Sequence, residues 1–215
     1  MLSPTDEIID IGSDHGLLCA YAVTCGKAKH AIAADISAES LNKARRLIGE
    51  LSLEDKVSFF VSDGFLSIDT DCDKYSAVMA GMGGELIAGI LESGGDKPKR
   101  AAQIAMQPMG GEKELREYLY KSGYNIADES VVEEGGRFYQ IILASFDGVS
   151  RPLPEGGLLN YGEKAYEKRE AALKKKLDRA CNTLSRKVDA AKRGGAEPEE
   201  LIKELREAEK LRAEW

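Results

Sequence analysis

Between a short apolar run, Glu7 to Gly12, and a helical pattern stands the segment Asp10-Ile11-Gly12-Ser13-Asp14-His15-Gly16. A glycine turn between strand and helix is where doubly wound folds bind nucleotides. This turn is unsuited to a pyrophosphate. Asp14 occupies the position where backbone would approach the phosphates, and no Gly-Lys-Ser/Thr follows. Asp10, Gly12, Asp14 and His15 instead suit a ligand that is adenosine-like at one end and cationic at the other. S-adenosylmethionine, with a sulfonium and an ammonium group, has that charge distribution.

Further candidates follow at regular intervals. Asp35, with Ile36 beside it, lies 19 residues after Gly16, where an acid can accept from both ribose hydroxyls. Asp63-Gly64 could accept from the adenine amine. Two later stretches, Ala80-Gly81-Met82-Gly83-Gly84-Glu85 and Met106-Gln107-Pro108-Met109-Gly110-Gly111, remove side chains where a flat substrate would lie. The plain alternatives are solvated turn acids and tight turns.

Positioning these residues requires strands that end together. Apolar runs at Glu7–Gly12, His30–Ile36, Val57–Asp63, Ser76–Gly81 and Ala101–Gln107 alternate with helical patterns at His15–Cys25, Ala38–Leu51, Glu85–Leu91 and Glu112–Ser122. Ser37 is the expected N-cap of the second helix. Asn125–Glu134 and Arg137–Phe146, joined only by Gly135-Gly136, must form an antiparallel hairpin. The pattern predicts an α/β fold with a mostly parallel, doubly wound sheet over residues 1–150. Arg151 to Gly157 reads as a linker. Beyond it, Leu173, Leu177, Ala180, Leu184, Val188 and Ala191 recur at helical spacing, as do Leu201, Leu205, Ala208, Leu211 and Trp215 after a Gly-Gly-Ala break. Residues 151–215 are therefore expected to form a helical hairpin, partly docked on the sheet.

Charge divides along the chain. Of 215 residues with a net charge of -7, residues 151–215 hold 16 Lys and Arg against 13 Asp and Glu, while residues 1–150 hold 14 against 24. Residues 164–193 carry eleven basic side chains and four acidic ones, expected on one helix. Lys168, Arg169, Lys174, Lys175, Lys176, Arg179, Arg186 and Lys187 are the candidate contacts to a nucleic-acid backbone. Four cysteines without zinc-like spacing and only two histidines predict no metal. With no run of roughly 18 apolar residues, no membrane span is expected, and a cytoplasmic monomer or weak dimer is the default.

Together, Asp-Ile-Gly-Ser-Asp-His-Gly, Asp35, Ser62-Asp63-Gly64, Ala-Gly-Met-Gly-Gly and Gln107-Pro108 resemble the TrmK family of tRNA adenine-N1 methyltransferases, which act on adenine 22. The resemblance runs in the same order over nearly the whole chain. It implies a Rossmann-like class I methyltransferase sheet of seven strands and a C-terminal coiled-coil hairpin. It also implies S-adenosylmethionine held by Asp10, Gly12, Asp14, His15, Asp35, Ile36, Asp63, Gly64, Ala80 and Gly81. The target base would sit around Met82, Gly83 and Gln107, with Asp14 tolerating the product's charge, and tRNA would be the partner. Two departures stand out: six residues precede Glu7, where family members carry a helix, and Met109 replaces an expected Asn. The residues alone leave open a methyltransferase of another RNA or of a protein, or a non-catalytic RNA-binding chain.

Overall fold

Adjacent residues of the strand containing Asp10 are buried on opposite faces, and this two-sided burial organises the whole domain. Ile9 is fully buried in one cluster with Ile32, Met79, Ile87 and Leu115; Ile8 is buried in another with Ala31, Leu41, Ile48 and Val78. A strand covered on both faces reads as a continuous apolar run, which is why Ile-Ile-Asp-Ile shows no alternation. The computed structural model describes all 215 residues.

Its elements are β1 (Thr5–Ile11), α1 (Leu17–Thr24), β2 (Ala28–Asp35), α2 (Ala38–Glu50), β3 (Val57–Val61), β4 (Tyr75–Met82), α3 (Gly84–Ser93), α4 (Lys97–Arg100), β5 (Gln103–Pro108), α5 (Glu112–Lys121), β6 (Tyr124–Glu134) and β7 (Arg137–Phe146). Then follow α6 (Leu158–Tyr161), α7 (Glu163–Glu167), α8 (Ala171–Arg193) and α9 (Glu199–Ala213). The seven strands lie in the order β3-β2-β1-β4-β5-β7-β6. β1 to β5 pair in parallel, and the β6–β7 hairpin is antiparallel with β7 against β5. The expected mostly parallel sheet with its hairpin is present.

Several boundaries differ for local reasons. β3 stops at Val61, after which the Ser62 hydroxyl holds a turn, donating to the Gly64 carbonyl and accepting from the Ser67 amide, both at 2.9 Å. α1 begins at Leu17 rather than His15 because Gly16, at φ +68°, is not helical. Ser37 does cap α2, its side chain accepting from the Ser40 amide. Sequence periodicity did not reveal the short α4, α6 and α7.

The basic run is not one helix. α7 ends at Glu167, Arg169 takes φ +54°, and α8 starts only at Ala171, so Lys168 and Arg169 lie in the turn between two helices. α8 and α9 fold back on each other: Trp215 meets the Tyr166 ring edge-on at 5.6 Å, just ahead of α8. Their seam shares a core with the sheet, since Leu173, Leu177, Cys181, Ala208 and Leu211 cluster with Val131 of β6.

A buried ion pair completes this docking. Arg116 of α5, 1% exposed, donates to Glu129 Oε1 at 2.6 Å, to the Leu159 carbonyl at 2.8 Å and to Gln140 Oε1 at 2.8 Å. Glu129 Oε2 accepts the Lys164 amide at 2.9 Å. Gln140 Nε2 donates to Glu112 Oε1 and the Asn160 carbonyl, both at 3.0 Å. Gly162 closes over the pair with φ +92°, where a Cβ would lie 2.9 Å from Arg116 Nη2. Removing one partner leaves an uncompensated buried charge, which typically costs about 3–5 kcal/mol. Arg116→Met should therefore lower the urea midpoint markedly, and Arg116→Met with Glu129→Leu should recover part of the loss. An unchanged midpoint in the single variant would show that the pair does not anchor the tail.

Candidate active site

The direction of strand addition reverses between β1 and β4, so their carboxyl ends flank a crevice open to ligands. Gly12 lies there at φ +82°, its amide and that of Ser13 both latched to the Ala34 carbonyl, at 2.8 and 3.0 Å. Met82 reaches across from β4, placing its sulfur and methyl 3.5 Å from where Gly12 would carry a Cβ. Gly16 allows α1 to approach α2, since a Cβ there would sit 2.9 Å from Ala44 Cβ.

The candidate acids occupy distinct environments. Asp10 is buried beneath the turn, facing Ser13 and the Cys19 thiol, and burial pushes its pKa up to about 6, with Asp35 adding to the rise. Asp14 is exposed on the outer side, 3.3 Å from Lys43 Nζ and 3.0 Å from His15 Nε2. The hydrogen bond from Lys43 holds its carboxyl below the ordinary value. Lys43 offsets the negative turn read from the sequence. Asp35 accepts the Ser37 amide at 2.7 Å through one oxygen and has no partner on the other. Ile36, beside it, is 72% exposed. Asp63 is exposed, and Gly64, at φ +55°, makes room for Ile90, whose Cγ2 would lie 2.8 Å from a Cβ.

Sequence reasoning missed the support of that last loop. Lys97 Nζ donates to the carbonyls of Phe65, Leu66 and Ile68 at 3.0, 2.8 and 2.7 Å. A lysine flanked by Gly94-Gly95-Asp96 and Pro98 carries no pattern that would single it out.

The opposite wall is built from the two glycine-rich stretches. Gln107 Oε1 accepts the Gly81 amide at 3.0 Å while its Nε2 donates to the Pro108 carbonyl at 2.9 Å, tying the ends of β4 and β5 together. The Gly84 amide donates to Gly110 at 2.7 Å, and a Gly84 Cβ would lie 2.0 Å from the Gly111 carbonyl oxygen. Gly84 and Gly111 are thus a backbone-to-backbone contact. Gly81 and Gly83, by contrast, face open space, and Ala80 and Met109 are exposed beside them. The structure brings Gly12, Met82, Gly81, Gly83 and Gln107 around one crevice.

The proposed backbone contacts are only partly available. Lys168 pairs with Asp128 and Glu170 at 2.8 and 2.9 Å, Lys175 with Glu133 at 2.7 Å, and Lys176 with Glu112 at 3.7 Å. Burial draws Lys176 down to about 8. Arg169 lies over the Tyr166 and Trp215 rings and Arg179 over Phe138. The acidic strand β6 takes up Lys168 and Lys175. Lys174, Arg186 and Lys187 are exposed and unpaired.

Comparison with known proteins gives the family of the chain. Residues 8–210 match the family model TrmK, described as tRNA (adenine(22)-N(1))-methyltransferase. The chain belongs to the TrmK family. It is 36% identical over 183 residues to the tRNA (adenine(22)-N(1))-methyltransferase of Bacillus subtilis, covering 82% of this chain and 75% of that protein. The crystal structure of the B. subtilis m1A22 tRNA methyltransferase TrmK is matched at a TM-score of 0.75 and 27% identity, over 96% of this chain and 89% of that one. Mycoplasma capricolum TrmK, in complex with the cofactor product S-adenosylhomocysteine, shares the fold at a TM-score of 0.81 and 21% identity, covering 99% and 93%.

The state of Asp10 gives a pH test. A native pKa near 6 above an unfolded value of 3.8 means the folded chain binds this proton more tightly. Stability then falls as pH rises from about 4 to about 6, by up to roughly 3 kcal/mol. Asp10→Asn should remove this fall, so its advantage over the parent chain should grow across that range. Denaturant melts at pH 4, 5, 6 and 7 showing a constant difference would exclude Asp10 as the titrating group.

Proposed function

We propose that this TrmK-family chain transfers a methyl group from S-adenosylmethionine to N1 of adenine 22 in tRNA. The observation that carries the reading is the crevice itself: on one side Asp35 with one carboxylate oxygen free, beside exposed Ile36, on the other a side-chain-free wall at Gly81 and Gly83 tied by Gln107. S-adenosylhomocysteine, bound by the M. capricolum relative, is what remains when S-adenosylmethionine gives up its methyl.

The residues fit this cofactor. Gly12 carries no side chain at the strand end, the free Asp35 oxygen is available to the ribose, and Ile36 offers an apolar face to a purine. Asp63 is exposed at the next strand end, where it could accept from the adenine amine. The cationic end would face Asp14, whose pairing with Lys43 is half exposed and so readily exchanged. When bound, S-adenosylmethionine supplies an electrophilic methyl on a positively charged sulfur.

Adenine N1 carries an in-plane lone pair and needs no base to expose it, so the chain's task is alignment. Met82 and Gly83 form the surface against which the ring would lie, and Gln107 sets the separation of the two strand ends that hold it. The methylated ring gains positive charge, which Asp14 would tolerate. A paired adenine must first leave its stack, at a cost of a few kcal/mol.

Two experiments check this reading. Tritiated methyl incorporation should appear with tRNA carrying adenine 22 and vanish when that base is guanine; equal labelling of both would point to another target. Asp35→Ala should weaken S-adenosylmethionine binding at least about tenfold by calorimetry, in keeping with the loss of a charge-assisted hydrogen bond. Unchanged affinity in a folded variant would remove Asp35 from the ribose role.

A further inference from the structure

A groove of about 760 Å³ is lined by Pro108 and Met109, next to the base site, and by residues of β7 and α8. Its lining includes exposed Arg137 and half-buried Phe138 and Tyr139 of β7, and Lys176, Arg179 and Lys187 of α8. Phe138 takes the α8 face, under Arg179, and Arg137 and Tyr139 take the other face of the strand, where β7 runs beyond its pairing with β5. Arg137 and Lys187 make no ion pair within the chain, whereas Glu112, one of two lining carboxylates, is tied to Lys176 and Gln140. The other, Glu204 of α9, stands unpaired in the same lining.

Cations interleaved with aromatic rings in an open channel are the chemistry that holds unpaired nucleic acid, through phosphate contacts and base stacking. Position adds a second argument. An adenine drawn into the crevice deprives its neighbours of a stacking partner, and Met109, exposed beside the crevice glycines, also lines the groove.

We propose that this groove holds the single-stranded nucleotides flanking the target adenine, with Tyr139 stacking on an unpaired base and Arg137 and Lys187 meeting phosphates. The proposal rests on the methyltransferase reading above. It moves the RNA contact from the α8 surface as a whole to the cleft between α8 and the hairpin.

The test uses full-length chain, fluorescently labelled tRNA and S-adenosylmethionine. Tyr139→Ala should weaken tRNA binding about tenfold, while Tyr139→Phe, which keeps the ring, stays within about twofold. Arg137→Gln with Lys187→Gln should lower the salt slope of log Kd by about one per lost phosphate contact. Affinity for S-adenosylmethionine should not change in any of them. Folded, cofactor-binding variants that all bind tRNA like the parent would overturn the proposal, as would Tyr139→Phe proving as damaging as Tyr139→Ala. The two claims fail separately: a parent chain that binds cofactor but methylates no tRNA removes the function, whereas full methylation with unaffected groove variants removes the groove alone.

Discussion

The buried pair of Arg116 and Glu129 is the interaction on which the rest of the molecule depends. Arg116 rises from α5, the helix that follows the glycine loop of the base site; Glu129 and Gln140 come from the hairpin; Leu159, Asn160 and Lys164 belong to the C-terminal segment. Three parts of the chain are joined by one guanidinium and its acceptors. Such a network contributes little net stability compared with an apolar core. What it contributes is registry, because a misplaced tail would leave the charge without partners.

That registry has a functional consequence. The same network extends through Gln140 and Glu112 to Lys176, which lines the floor of the groove beside the base site. The position of α8 relative to the crevice is therefore set by hydrogen bonds rather than by its apolar seam alone. The crevice follows the same logic of fixed backbone. Gly12 and Ser13 are latched to β2, Gln107 joins β4 to β5, and the Gly84–Gly110 bond closes the wall. A reaction that relies on alignment needs walls that do not yield.

Much of this was legible in the sequence. The strand and helix alternation, the hairpin forced by Gly135-Gly136, the Ser37 cap and the glycine turn all rest on local chemistry, and local chemistry is visible in one dimension. The crevice residues were legible because they sit at strand ends, which the parallel topology gathers together. The rest depended on partners distant in the chain. Nothing near Lys43 announces Asp14, 29 residues away, and nothing near Lys168 announces Asp128, 40 residues away. Counting charge along residues 164–193 therefore overstated the free basic surface, because Lys168 and Lys175 pair with strand β6 and Lys176 with α5. The glycine pairs divided for the same reason: Gly83 faces open space, whereas Gly84 is required by a carbonyl from a different strand end.

The central claim is that this crevice places a methyl group on one ring nitrogen of one nucleotide. Mass spectrometry of nuclease-digested tRNA, after incubation with the purified chain and S-adenosylmethionine, tests it most directly. The account predicts a single gain of 14 Da on the fragment containing adenine 22, at N1. Methylation at another nucleotide, at another atom of that adenine, or none from a chain that binds the cofactor would contradict it.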